Sequence, residues 1–121
     1  MSSDALTEQT QNLVQELRRG VIVLAVLSQL HTEQYGYSLM KCLEEQGMQV
    51  DQGTLYPLLR RMEEQGLLES IWRTDTSRPR RYYVLSSFGS QVLSEMTVEW
   101  ARIKTTVDNL LDNESEKENE K

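Results

Sequence analysis

The apolar positions of this chain change their spacing several times, and each change marks an element. Leu6, Leu13, Val14 and Leu17 share one helical face, whereas Val21 to Leu27 is apolar nearly all round. One helix is therefore expected from somewhere between Ala5 and Thr10 to near His31, its second half covered on several sides. Gly20, between the halves, is expected as a break or a close packing point. A second helix is predicted from about Gly36 to Gln46, with Leu39, Cys42 and Leu43 inward and Gly47 as its terminator. Cys42 reads as a small core residue. Asp51 is a good N-cap for a third helix to about Gln65, stopped by Gly66. Leu55, Leu58, Leu59 and Met62 form its inward face; Gly53, Tyr56, Pro57, Arg60 and Arg61 fall elsewhere. Pro57 cannot donate a backbone bond and its ring presses on the carbonyl of residue 53, so an irregular or late start is expected.

After Gly66 the period drops to that of strands. Leu67 to Arg73 and Arg81 to Leu85 alternate as a hairpin, joined by a polar turn containing Pro79. A long last helix then starts at Ser86 or Ser87 and reaches Leu110 or Leu111. On it Leu93, Met96, Trp100, Ile103, Val107 and Leu110 are spaced three and four apart in alternation, a seam of heptad type. The rest of the chain offers little to cover that seam, so a homodimer is expected. The fold class is mainly α with a small β-hairpin (α+β). Residues 1–86 form a winged helix-turn-helix with its N-terminal helix, 87–111 a C-terminal dimerisation helix, and 112–121 an acidic tail expected to be disordered.

Helix, turn, helix and a hairpin with a basic tip is the order of a module that puts one helix in the DNA major groove. The net charge of −6 opposes that reading until its distribution is seen. Residues 72–83 hold Arg73, Arg78, Arg80 and Arg81 against Asp75 alone, while acidic residues gather towards both termini. DNA contact needs a local basic patch, not a basic total. Taken alone, the arginines could equally be a solvated hairpin surface. Lys41, Arg60, Arg61, Arg73, Arg78, Arg80 and Arg81 are the candidate phosphate ligands. Gln52, Thr54 and Tyr56 are candidates for base edges or phosphates, and Tyr37 for a phosphate near helix amides. Tyr82, like Tyr56, divides between DNA contact and packing of helix on hairpin.

Chemistry changes the picture little. One cysteine and one histidine leave no disulfide within the chain and no ordinary zinc site. No nucleophile-base pair, metal set or phosphate loop is present, so no enzyme and no cofactor are expected. The longest apolar run is too short for a bilayer and the N-terminus has no secretory pattern, which reads as cytoplasmic with no membrane partner.

Tyr35-Gly36-Tyr37, Gly53-Thr54-Leu55-Tyr56-Pro57, Arg61-Met62-Glu63-Glu64-Gln65-Gly66-Leu67-Leu68, and Arg80-Arg81-Tyr82-Tyr83-Val84-Leu85 with Gly89 together resemble the PadR family of transcriptional regulators. The resemblance spans about residues 18–111. It implies a dimeric, DNA-binding repressor reading a pseudo-palindromic operator on duplex DNA. The single C-terminal helix is similar to the short-tailed subgroup, in which a Trp on that helix often lies beside a flat apolar cavity. Trp100 stands at the corresponding place, and Met96, Trp100 and Ile103 become candidate ligands for a flat aromatic or cationic effector. A fully packed seam with Trp100 as its anchor is the alternative. Two features depart from the family: Ser77-Arg78-Pro79 replaces the usual wing-tip glycines, and the segment before Leu13 is longer. The rival function is a winged-helix protein-interaction module without strong DNA affinity.

Overall fold

The computed structural model describes residues 3–75 and 77–119, with side chains described as far as residue 113. Helix α1 spans Ser3–Ser28 without interruption. Gly20 neither breaks it nor packs closely, since a Cβ there would meet nothing within 4 Å. A short turn follows, with the amides of Gln29 and Leu30 donating to the carbonyls of Val26 and Leu27. The helix thus ends before His31, and Leu30 enters the core from the turn. Residues 21–25 are half-buried, and only Val26 and Leu27 are fully enclosed.

Strand β1, Gln34–Tyr35, is an element the alternation pattern does not announce. Helix α2 (Gly36–Glu45) begins directly after it, and Gly47 leaves it with a positive φ of 93°. Cys42 is half-buried rather than enclosed, its Sγ 3.5 Å from Gln34 Oε1. Helix α3 (Gln52–Glu64) starts immediately at its cap: the Thr54 amide donates to Asp51 Oδ1 at 2.8 Å. The expected late start does not occur. Pro57 lies early enough that it forfeits one helical bond, to the carbonyl of Gly53, while the side-chain cap secures the first turn.

The hairpin is β2 (Leu68–Arg73) against β3 (Arg80–Leu85), paired from Leu68↔Leu85 to Arg73↔Arg80. β1 adds to the other edge of β3, so the antiparallel sheet has the order β1-β3-β2. The Leu85 amide donates to the Leu30 carbonyl at 2.8 Å and fastens the sheet to the end of α1. Ser86 caps helix α4 (Ser87–Asn119): its Oγ accepts from the Gly89 amide and donates to the Gly66 carbonyl. A Cβ at Gly89 would stand 2.0 Å from the Leu67 carbonyl oxygen, so only glycine lets α4 rest on that turn. α4 does not stop at Leu111. Residues 112–119 are helical, which corrects the expectation of a disordered tail beginning at Asp112. Glu and Lys are good helix formers and extend a helix already nucleated. The core is one cluster: Leu27 and Leu30, Leu39 and Leu43, the four inward residues of α3, Leu68, Tyr83, and Leu93 of α4.

Candidate nucleic-acid interface

Burial of Leu55, Leu58, Leu59 and Met62 decides what α3 shows to solvent. Gln52, Thr54, Tyr56, Arg60 and Arg61 are all exposed, as the periodicity predicts. On the neighbouring helix Tyr37 and Lys41 are exposed too, with the Lys41 ammonium 5.7 Å from the Tyr37 ring centroid and 3.9 Å from Glu44. Between α3 and the hairpin lies a cleft of about 280 Å³, lined by Tyr35, Gly36, Tyr56, Arg60, Trp72, Arg80, Arg81 and Tyr83. Aromatic rings and guanidinium groups share its lining. A Cβ at Gly36 would stand 2.1 Å from the Tyr56 ring, so this glycine seats the tyrosine on the start of α2. Tyr56 therefore both packs and faces the cleft.

The predicted cations separate into two groups. Arg60 and Arg61 form no ion pair with a described residue. Arg80 lies over the Tyr35 ring at 4.4 Å, a contact that leaves its charge uncompensated. Arg73 is committed: it pairs with Glu33, and Nε donates to Oε2 at 3.0 Å. That hydrogen bond, with the carboxylate's charge, holds the Arg73 pKa above its ordinary value. Arg81 is committed as well, to Glu63 at 2.6 Å. Arg78 is exposed at the wing tip.

Alternation along β3 puts Arg81 and Tyr83 on the α3 face and Arg80 and Tyr82 on the other, where both meet the Tyr35 ring and from where Arg80 also lines the cleft. Tyr82 meets Tyr35 edge-on, ring centroids 5.4 Å apart, and carries the Arg73 guanidinium 5.5 Å from its ring. Tyr83 is almost wholly buried, and burial pushes its hydroxyl pKa up against the opposing pull of Arg81 and Arg60. Trp72 is a cleft residue that the sequence reading leaves out. It is 63% exposed and stands opposite Arg81 in the ladder. Only the strand register places it on the α3 side, and the register was not readable without the turn.

The seam on α4 also divides. Leu93 is 7% exposed and belongs to the chain's own core, which removes it from the expected dimer interface. Met96 packs partly against the same core. Trp100, Ile103, Val107 and Leu110 remain exposed, and so do Leu6, Leu13, Val14 and Leu17 on α1. Met96, Trp100 and Ile103 share a helix face, but Trp100 and Ile103 are open to solvent in the single chain.

Comparison with known proteins points to one family. The profile of the transcriptional regulator PadR-like family matches residues 23–95. A PadR family transcriptional regulator from Eggerthella lenta superposes with a TM-score of 0.84 at 43% identity, covering 90% of this chain and 97% of its own. A PadR-like transcriptional regulator from Bacillus cereus gives 0.71 at 33% identity, over 79% of this chain and 96% of its own. A transcriptional regulator of Mycobacterium tuberculosis is 36% identical over 83 residues, 68% of this chain and 78% of that protein.

Proposed function

The chain belongs to the PadR-like family of transcriptional regulators, and from that premise we propose that it is a dimeric repressor of a pseudo-palindromic operator. The carrying observation is the cleft between α3 and the hairpin, lined by the uncompensated Arg60 and Arg80, with Arg61 exposed next to Arg60 on α3. Uncompensated guanidinium groups attract phosphates without first surrendering a carboxylate partner. The first turn of α3, with Gln52 and Thr54 exposed, presents side chains and amides to a groove while the wing reaches the flanking backbone. A two-fold dimer would place two such helices on half-sites about one helical turn apart, or a multiple of it. The exposed apolar residues of α4 and of the first half of α1 supply the surface for that dimer. A regulator of this kind acts where the chromosome is, so the cytoplasmic location belongs to the same proposal, as does a non-catalytic role.

Release by a flat aromatic or cationic compound is the second part of the reading. It is favoured by Trp100, a large aromatic left partly exposed at the centre of the α4 stripe. Two copies meeting there would bring two indoles to one interface.

Selection of bound duplexes from a random pool, followed by titration over a range of salt, tests the DNA reading. Arg60→Ala and Arg80→Ala should each weaken binding and lower the salt slope by about one unit per bound site. Slopes unchanged in both variants would move the DNA face elsewhere. Weak, salt-insensitive association of the wild-type chain would favour the protein-interaction module instead.

A further inference from the structure

The wing and α3 are consecutive in the chain, joined only by Gln65, Gly66 and Leu67, yet their relative angle is held from the side. Glu63, in the last turn of α3, receives Arg81 Nη2 on Oε2 at 2.6 Å and the Ser70 hydroxyl on Oε1 at 2.6 Å. Arg81 Nε donates to Ser70 Oγ at 3.1 Å. The three side chains form a closed ring: both carboxylate oxygens are used, and the serine donates and accepts at once. One member comes from α3, one from β2 and one from β3. The ring is only partly exposed, so salt screens it less than a surface pair. The Arg81 guanidinium also lies 5.4 Å from the ring of Tyr83, itself a core residue.

This arrangement argues against a phosphate-binding role for Arg81. Moving its guanidinium to a phosphate would strand Glu63 beside a polyanion. We propose that Glu63, Ser70 and Arg81 act as a latch that sets the wing's angle to α3, which makes Glu63 and Arg81 positioning residues for DNA binding; this rests on the DNA-binding reading above. A wing swung away from α3 still carries Arg80, but cannot reach the flanking backbone while α3 occupies the groove. Affinity then falls with the fraction of molecules whose wing is correctly placed.

Two neighbouring glutamates provide the test. Glu63 and the exposed Glu64 carry the same charge on the same turn of α3. If only charge mattered, replacing either by Ala would strengthen operator binding or leave it alone. The latch predicts that Glu63→Ala weakens binding about tenfold, the scale of losing charged hydrogen bonds, while Glu64→Ala does not weaken it. The salt slope should be unchanged in Glu63→Ala, because no phosphate contact is removed. Arg81→Ala should weaken binding comparably, also at constant slope. Melting curves run alongside identify any variant that fails to fold; Glu63→Gln, which keeps an acceptor for Ser70, then replaces Glu63→Ala and should lose part of the affinity. Glu63 variants that fold and bind as well as wild type overturn the latch, and so does a slope lowered by about one unit in Arg81→Ala. A wild-type chain with no salt-dependent duplex binding overturns the DNA reading itself, and the proposal with it.

Discussion

The winged module and the two helical arms treat apolar side chains in opposite ways. Within the module, Leu27, Leu39, Leu55, Leu59 and Met62 are sealed, and the sheet is fastened to the turn after α1 by the Leu85–Leu30 bond and to α3 through Glu63. Along the arms, Leu17 is 73% exposed, Leu13 66% and Leu110 61%. Both regions are helices with an apolar stripe, so composition does not separate them. What differs is whether the chain itself supplies a covering surface. In the proposed dimer a second copy would supply that surface. The module reads as a folding unit and the arms as half of one.

The contrast can be broken first by shaving one leucine from each region. Leu55→Ala should cost about 2–5 kcal/mol in unfolding free energy, the same at every protein concentration. Leu17→Ala should cost less, and its cost should appear as dissociation that depends on concentration. Chemical unfolding at two concentrations separated a hundredfold distinguishes the two. A concentration-independent loss at Leu17 would mean that α1 folds back on its own chain in solution.

A smaller effect is expected from occupancy of the arms by a ligand. In a Trp72→Phe background, a flat aromatic or cationic compound that enters near Trp100 should quench its fluorescence. If it is an effector, operator affinity should change by about 1–3 kcal/mol, since coupling equals the difference in its affinity for the two dimer states. Quenching without that change indicates a pocket but no switch; no quenching across a broad panel leaves Trp100 as an anchor.

The smallest effect lies in the module. Burial raises the pKa of Tyr83 above its ordinary value of 10.0, so the unfolded chain loses this proton first as the pH climbs. The stabilisation is complete below about pH 10 and declines above it. Tyr83→Phe should flatten part of that alkaline decline in a pH series of melting temperatures. An identical decline in both proteins would place its cause in other groups.

How much was legible from sequence follows the same division between local and non-local. The α3 faces were readable because 3.6-residue periodicity, the Asp51 cap and the Gly66 stop lie within one short window. β1 was not, since two residues cannot show alternation, and their pairing with Tyr82 and Tyr83 spans almost fifty positions. The arginines were visible as a patch, but their sorting was not. Glu33 is 40 residues from Arg73 and Glu63 is 18 from Arg81, so which cations stay uncompensated depends on the fold. Leu93 belongs to the chain's own core for a related reason. It keeps the heptad spacing of its neighbours, yet α4 begins against the module and leaves it only further on. The charge density after Asp112 masks the helix propensity of Glu and Lys, which carries α4 to Asn119.

In the proposed assembly a second copy covers the arms while each winged module faces DNA. Sedimentation of the wild-type chain and of the Ile103→Asp, Val107→Asp pair, each alone and with a selected duplex, tests it most directly. Wild type should sediment as a dimer and place two chains on one duplex. The variant should be monomeric, because unpaired carboxylates are costly to bury, and should keep a cooperative melting transition and bind the duplex only weakly. A variant that still dimerises with wild-type affinity, or a wild-type chain that binds the duplex as a single copy, would contradict the account.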